Sequence, residues 1–294
     1  MMNLMKLYEM KRIVSCLFAF TIALGAMAQE SENDPKVWPW HFPQAVKISG
    51  QTGQLALSCY SAYFDLVEKG EGFDNKVMIF YKTTIEKVGK EKTIVSDFHK
   101  DTEVPNALVI PLDKTAKAKK GDVVLTWWQT GSGMQRAIVV DDTKPTEPVV
   151  CYLDQNWPDN PDAAKVAEKQ KGEPLKPGTF NVVKGGKWEP GEQVAYRDKG
   201  EWCYGRLVHT DGDKVLLSVF ASHLVSTTKD RCKLIPFKEK IKVGDKVSGI
   251  FVRYYRPGFT VVKVDNDHGR VWVKKDGSDR TQCFSIAEVT KVLE

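Results

Sequence analysis

Short apolar runs separated by turn-forming residues recur along most of the chain. In the first third they lie at 55–60, 76–81 and 92–95, and glycine-containing turns near Gly50, Gly53 and Gly70 separate them. Brief runs rich in β-branched and aromatic residues, bounded by such turns, are typical of β-strands. The pattern predicts a β-rich N-terminal domain over residues 29–114. Only 60–68 is ambiguous, because its apolar spacing fits a strand or one short helix.

A pattern of Gly, an acidic residue, any residue and Val opens three later segments, at Gly121, Gly191 and Gly244. Each opening is followed by an aromatic stretch, an alternating run, a tight turn and a further strand-like run. Because the openings are unequally spaced, they indicate a degenerate repeat of small β units. The first unit is predicted over 115–155.

The segment 156–186 is rich in proline and glycine, and it interrupts this repeat. Such a composition is typical of linkers. The sequence therefore predicts a linker over 156–186, with one polar helix beginning after Asp162 as an alternative for part of it. The two remaining units are predicted over 187–238 and 239–294.

Residues 190–220 resemble the Tudor/agenet branch of SH3-like barrels. The matching positions are Gly191, Val194, Ala195, Trp202, Gly205, Leu207, Gly212, Val215 and Phe220. Residues 243–277 are similar more loosely, through Gly244, Val247, Gly269, Val271 and Val273, and 120–153 are the least similar. The resemblance implies an all-β chain in which the N-terminal β-rich domain precedes tandem small barrels. They are an SH3-like β unit at 115–155 and Tudor-like SH3 barrels at 187–238 and 239–294.

The resemblance also implies where a ligand would bind. Tudor-like barrels hold methylated cations in aromatic cages by cation–π attraction, and SH3-like folds bind extended peptides in aromatic grooves. The corresponding candidates here are Tyr196, Trp202, Tyr204, Tyr254 and Tyr255. The second cage position of the family is Cys203 here. Strand alternation places Tyr204 opposite Leu207, and we expect Tyr204 to point towards solvent. The alternative is that half of these rings fill the core or its rim.

The N-terminus has the pattern of a secretory signal peptide over residues 1–28. Lys11 and Arg12 precede an apolar stretch at 13–24, and Ala26 and Ala28 supply the small residues before a cleavage site at Gln29. The apolar stretch is too short to span a bilayer. We therefore expect export to the periplasm or the extracellular medium, with no transmembrane segment in the mature chain.

Composition narrows the function classes. The net charge of +5 and the even mixture of charges do not favour nucleic acid as a partner. Residues 187–294 carry 20 basic and 15 acidic side chains, which favours anionic glycans, cell-wall polymers or acidic peptides. The sequence contains no phosphate-loop, zinc-protease or serine-hydrolase motif and no paired-cysteine zinc spacing. We predict no cofactor, metal or catalytic residue.

The leading hypothesis is an exported, non-catalytic binding or scaffolding protein of the cell envelope. Its partner would be a protein, a peptide or an envelope polymer. One alternative is a secreted hydrolase that uses Cys203 or Cys232 with His209 or His223. A second alternative is a structural subunit of an envelope complex. A disulfide between Cys203 and Cys232 is compatible with the sequence.

Overall fold

A computed structural model describes residues 38–59, 78–97, 100–128, 133–154, 172–237 and 239–293. The chain divides into a small unit, Met1–His41, and a large unit, Phe42–Glu294. In the small unit, the rings of Trp38 and Trp40 stack with their centroids 5.1 Å apart. The predicted signal peptide and both predicted helical stretches, at 60–68 and after Asp162, lie outside the described residues.

The large unit is all-β, as the sequence predicts. Its described strands form antiparallel sheets, and its described helical residues are three short 3-10 turns, Asn106–Leu108, Phe220–Ser222 and Lys229–Arg231. No helix within the described ranges is long and apolar enough to cross a membrane.

The strands in the described ranges fall into four consecutive groups of five, which we call the first to fourth modules. The first module contains β1 (Leu55–Cys59), β2 (Phe80–Val88), β3 (Lys92–Ser96), β4 (Asp101–Pro105) and β5 (Val109–Pro111). The second contains β6 (Val123–Trp127), β7 (Met134–Asp141), β8 (Val149–Tyr152), β9 (Glu173–Pro174) and β10 (Asn181–Val183). The third contains β11 (Gln193–Asp198), β12 (Glu201–Asp211), β13 (Lys214–Val219), β14 (Leu224–Thr228) and β15 (Cys232–Ile235). The fourth contains β16 (Lys246–Phe251), β17 (Tyr254–Asp265), β18 (Arg270–Lys275), β19 (Thr281–Ser285) and β20 (Val289–Thr290).

All four modules have the same strand order. The first four strands form a meander, and the fifth returns to pair antiparallel with the first, which gives the order 4-3-2-1-5. The N-terminal β-rich domain therefore has the connectivity of the three modules that follow it.

The repeated glycine openings form one kind of turn. Gly121, Gly191 and Gly244 all have φ near +90°, where glycine is favoured because it lacks a Cβ. Each donates its N–H to a carbonyl oxygen in the second strand of its module, as in the 2.8 Å bond from Gly191 to Leu207. Gly53 makes the same bond to Ile85 at 2.8 Å in the first module. The turn thus fixes where the first strand starts against the second in all four modules.

The predicted linker over 156–186 contributes strands to the second module. Its last strand, β10, pairs with β6 through Asn181↔Leu125 to Val183↔Val123, and β9 pairs with β8. The second module therefore extends past residue 155, and β10 completes its sheet. Phe180 and Leu175, from the same segment, are buried in its core with Val124 and Tyr152.

The third and fourth modules share one continuous sheet. The start of β12 extends beyond β13, and β17 pairs with its free edge at Cys203↔Tyr254. The backbone N–H of Tyr204 donates a 2.9 Å hydrogen bond to the carbonyl oxygen of Arg253 at this point. Because backbone bonds cross the boundary, the two modules are held together as a pair.

Candidate functional site

The five aromatic residues predicted to form a binding site lie on two different sides of the third module. Tyr196 packs inside its core with Cys203 and Leu207, and Tyr254 contacts the edge of that core. Trp202, Tyr204 and Tyr255 belong to a separate cluster on the outer face. The structure therefore does not bring these five rings into one cage.

The predicted alternation along β12 is present. Cys203 and Leu207 are buried in the core of the third module, and Tyr204 lies on the opposite face. The expectation that Tyr204 points towards solvent is wrong, because residues of the second and fourth modules cover this face. Its hydroxyl accepts a 3.0 Å hydrogen bond from Nη2 of Arg136.

Arg136 is the centre of a buried polar group that connects three modules. Its side chain is fully buried in β7, and its Nε lies 3.1 Å from Oδ2 of Asp154, which follows β8. Its Nη1 donates to the side-chain carbonyl of Gln193 in β11, and Gln193 Nε2 donates a 2.7 Å bond to the Tyr255 hydroxyl in β17. We call Arg136, Asp154, Gln193, Tyr204, Arg206 and Tyr255 the junction cluster.

The carboxylate of Asp154 forms ion pairs with two arginines. Arg206 Nη1, from β12, lies 3.2 Å from its Oδ2, in addition to the pair with Arg136. Burial by itself raises the pKa of Asp154, but the charges of Arg136 and Arg206 and the hydrogen bonds from Arg136 outweigh burial and lower it to about 2. Asp154 therefore stays ionised at neutral pH and holds the two guanidinium groups in place.

The pKa of a second carboxyl group, near the junction cluster, is shifted in the opposite direction. Burial raises the pKa of Glu288, which precedes β20, to about 7, and the charge of Asp154 adds to this. The charge of Arg270 and the backbone N–H of Ser285 act in the opposite direction, the latter through a 2.8 Å bond to Oε2. Glu288 therefore changes its charge near neutral pH.

The junction cluster explains why two predicted site residues are unavailable to a ligand. The Tyr204 hydroxyl is bonded to Arg136, and the Tyr255 ring is buried with its hydroxyl bonded to Gln193. Burial raises the pKa of both phenols, so both remain neutral. These residues join modules, which is a structural role that the sequence did not reveal.

Trp202 and Tyr254 are already paired with cations of the same chain. The Trp202 ring has Arg197 at 4.0 Å and Lys233 at 5.2 Å from its centroid. The Tyr254 ring has Arg253 at 4.8 Å and Arg256 at 4.7 Å. A methylated cation would have to displace these side chains from the rings.

The tip of the β16–β17 hairpin exposes apolar side chains beside these cations. Phe251 is 49% exposed and Val252 is 55% exposed. Val252 has φ +59°, a left-handed conformation that is a genuine outlier for a β-branched residue. We call Phe251, Val252, Arg253, Tyr254 and Arg256 the hairpin ridge.

The two arginines of the hairpin ridge are held by acidic residues of the third module. Arg253 Nη2 lies 2.9 Å from Asp198 Oδ2, and Arg256 Nη1 lies 2.8 Å from Glu201 Oε2. Both pairs are well exposed to solvent. They orient the guanidinium groups without removing them from the surface, so the hairpin ridge combines exposed apolar surface with positioned positive charge.

The thiols are poorly suited to nucleophilic chemistry. Burial raises the pKa of Cys203 and raises that of Cys232 to about 12, so both are protonated at neutral pH. Cys203 and His209 lie six residues apart on the same strand, about 20 Å, which is too far for proton transfer between them.

The structure also rules out the disulfide that the sequence allowed. Tyr196 pairs with Cys203 on one side and with Cys232 on the other. The two cysteines are therefore separated by two strand spacings, about 9–10 Å, whereas a disulfide requires Cα atoms closer than about 7 Å. Among the described residues, no group of three or more His, Cys, Asp or Glu side chains could hold a metal ion.

The sequence analysis missed Arg136, Asp154, Gln193 and the exposed Val252. The only local signal for Arg136 is a charged residue directly before the apolar run 137–140 of β7. No protein-family model matches the chain, and the comparison with curated proteins finds no relative.

Proposed function

We propose that this protein is an exported, non-catalytic binding or scaffolding protein of the cell envelope. Its modules are SH3-like barrels, of which the third and fourth form a Tudor-like tandem. In this proposal the hairpin ridge, rather than an aromatic cage, contacts the partner.

The repeated connectivity supports the barrel assignment. An order of 4-3-2-1-5, with a tight turn before the fifth strand, is the arrangement of SH3-type barrels. That turn is a 3-10 turn at Asn106–Leu108 in the first module and at Lys229–Arg231 in the third. The connectivity therefore supports the proposed architecture. Because this fold serves many functions, the function has to be argued from the surface residues.

The single observation that carries the functional proposal is the composition and strain of the hairpin ridge. Aromatic residues and arginines are enriched at the energetically important centres of protein interfaces. Val252 exposes its side chain although its backbone conformation costs about 1–3 kcal/mol, which a glycine would avoid. Strain of this kind, retained at an exposed apolar tip, is typical of functional sites.

The protonated thiols weigh against the hydrolase alternative. A cysteine nucleophile needs a lowered pKa or an adjacent base, whereas burial raises the pKa of both Cys203 and Cys232. The ridge instead offers a contact surface.

The proposal is tested by retention of the full-length protein on the envelope fraction of cells that produce it. We expect Phe251→Ser/Val252→Gly to release the protein into the soluble fraction without lowering its melting temperature. Val243→Ser is the matched control, because Val243 is an exposed apolar residue at another turn of the same module. Equal retention of the two variants and the wild type would contradict the proposal.

A further inference from the structure

The charge around the hairpin ridge is strongly one-sided. The hairpin ridge and the neighbouring segments 197–201 and 230–233 together carry six basic side chains and three acidic ones. The basic residues are Arg197, Lys199, Arg231, Lys233, Arg253 and Arg256, and the acidic residues are Asp198, Glu201 and Asp230. Contacts connect these segments: Arg231 Nη2 donates a 3.0 Å bond to the Arg197 carbonyl oxygen, and Asp198 and Glu201 bind the ridge arginines.

Two of the three acidic side chains have a structural function at this surface. Asp198 and Glu201 each accept one hydrogen bond from a ridge arginine, and a guanidinium group has five N–H donors. The ion pairs therefore fix the direction of Arg253 and Arg256, which remain 40% and 41% exposed. Preorganised arginines of this kind suit carboxylates, with which they form charge-assisted hydrogen bonds.

The apolar tip distinguishes a protein partner from a carbohydrate polymer. A polyanionic glycan would use the positive charge but would leave Phe251 and Val252 in contact with water. A peptide carries carboxylates and apolar side chains at alternating positions of one extended segment. Such a segment would bury Phe251 and Val252 while its carboxylates contact Arg253 and Arg256.

We propose that the hairpin ridge binds an acidic protein segment that also carries apolar side chains. This inference rests on the proposed binding function and specifies the chemistry of the partner. Opposite charge on the partner speeds encounter and sets the orientation, and the apolar tip provides buried contact area.

The test measures binding of the full-length protein to two fluorescein-labelled synthetic peptides. One alternates glutamate with leucine, and the other alternates lysine with leucine. We expect the glutamate peptide to bind and the lysine peptide not to bind, with affinity that decreases as salt is added. Arg253→Gln/Arg256→Gln should weaken the affinity for the glutamate peptide about tenfold or more, because this double variant removes charge-assisted hydrogen bonds.

Two further variants separate the ridge from general charge attraction. Lys242→Gln/Lys275→Gln removes two exposed cations elsewhere on the fourth module, and we expect it to leave affinity within about twofold. Asp198→Asn/Glu201→Gln keeps a side-chain oxygen to accept each arginine hydrogen bond but removes the competing negative charge, and we expect equal or tighter binding. If Lys242→Gln/Lys275→Gln weakened the affinity for the glutamate peptide as much as Arg253→Gln/Arg256→Gln does, the proposal would be overturned.

The remaining outcomes distinguish this inference from the proposed function. The glutamate peptide could fail to bind while the Phe251→Ser/Val252→Gly variant is released from the envelope fraction. In that case the proposed chemistry of the partner is overturned and the proposed binding function stands. If dextran sulfate binds through the same arginines more tightly than the peptide, the partner is a polyanionic polymer and the inference is overturned. If the glutamate peptide binds but the envelope fraction retains the ridge variant, the acidic specificity stands without the envelope function.

Discussion

The hydroxyl of Tyr204 in the third module lies 3.0 Å from Nη2 of Arg136 in the second. The same guanidinium group pairs with Asp154 and reaches Gln193, whose amide contacts Tyr255 of the fourth module. Three modules thus meet at one buried arginine. Their mutual orientation depends on the junction cluster, and the hairpin ridge is displayed on the fourth of these modules.

We expect substitutions of Tyr204 to destabilise the protein. Tyr204→Phe leaves an N–H of a buried arginine without its partner and should lower the free energy of unfolding by about 1–3 kcal/mol. Tyr204→Ala also removes the partly buried ring and should therefore destabilise the protein more than Tyr204→Phe does. Denaturant unfolding measures both, with the exposed Phe220→Ala as the control expected to change stability by less than about 0.5 kcal/mol. An unchanged stability of Tyr204→Ala would mean that the outer face is not a module interface.

We expect the Arg136–Asp154 pair to be costly to break and easier to replace. Asp154→Asn leaves two buried arginines without their carboxylate and should destabilise the protein by about 3–5 kcal/mol. Arg136→Met/Asp154→Leu removes both buried charges of the pair and should recover part of that loss. The two variants are compared by denaturant unfolding at pH 7. A double variant less stable than Asp154→Asn would show that the pair itself contributes net stability.

Glu288 should make stability fall as the pH rises towards neutral. Its ordinary pKa is 4.5 and its folded pKa is about 7, so between these values the folded state binds a proton that the unfolded state has released. Raising the pH through this window should therefore cost the fold up to about 3 kcal/mol. The groups that act on Glu288 include Asp154, Arg270 and the Ser285 amide.

The pH dependence of Glu288 has an internal control in Asp154, a member of the junction cluster. Glu288→Gln should remove the decrease in stability between pH 4.5 and 7. It should not change the loss of stability below about pH 3.8, where protonation of Asp154 begins in the unfolded state, because the folded pKa of Asp154 is about 2. An unchanged slope in Glu288→Gln between pH 4.5 and 7 would assign the dependence to another group.

The strain at Val252 predicts a stabilising substitution. Glycine adopts φ +59° freely, so Val252→Gly should raise the free energy of unfolding by about 1 kcal/mol after the entropy of glycine is subtracted. Thermal unfolding measures this, with Val243→Gly as the comparison without a left-handed backbone at the substituted residue. A loss of stability in Val252→Gly would mean that the exposed valine contributes to folding rather than to binding.

The alternation and turn chemistry of the sequence were sufficient to predict the all-β fold and most strands of the last two modules. The further strand-like run predicted after the Gly191 opening is β13, Lys214–Val219. The first module was not recognised as a repeat because Gln54 and Ala56 replace the acidic residue and the Val of the opening. In the structure, its side-chain Oε1 accepts a 2.9 Å bond from the Gln51 N–H, as the carboxylate of Asp122 does from Lys119.

The functional surface was less predictable, for a physical reason. Alternation along β12 determines that Trp202 and Tyr204 share a side of the sheet, but it does not determine what covers that side. Arg136 lies 68 residues before Tyr204, and only the packing of modules brings the two together. The brief β9 and β10 were missed because they lie in a Pro- and Gly-rich segment whose composition is also that of a linker.

The most direct test of the account is site-specific photo-crosslinking in the cells that produce the protein. A photoreactive residue at position 252, on the hairpin ridge, should give a discrete adduct with a partner. The same residue at position 243, on another exposed turn of the fourth module, should give none. Adducts at position 243 and none at position 252 would contradict the assignment of the hairpin ridge as the binding surface.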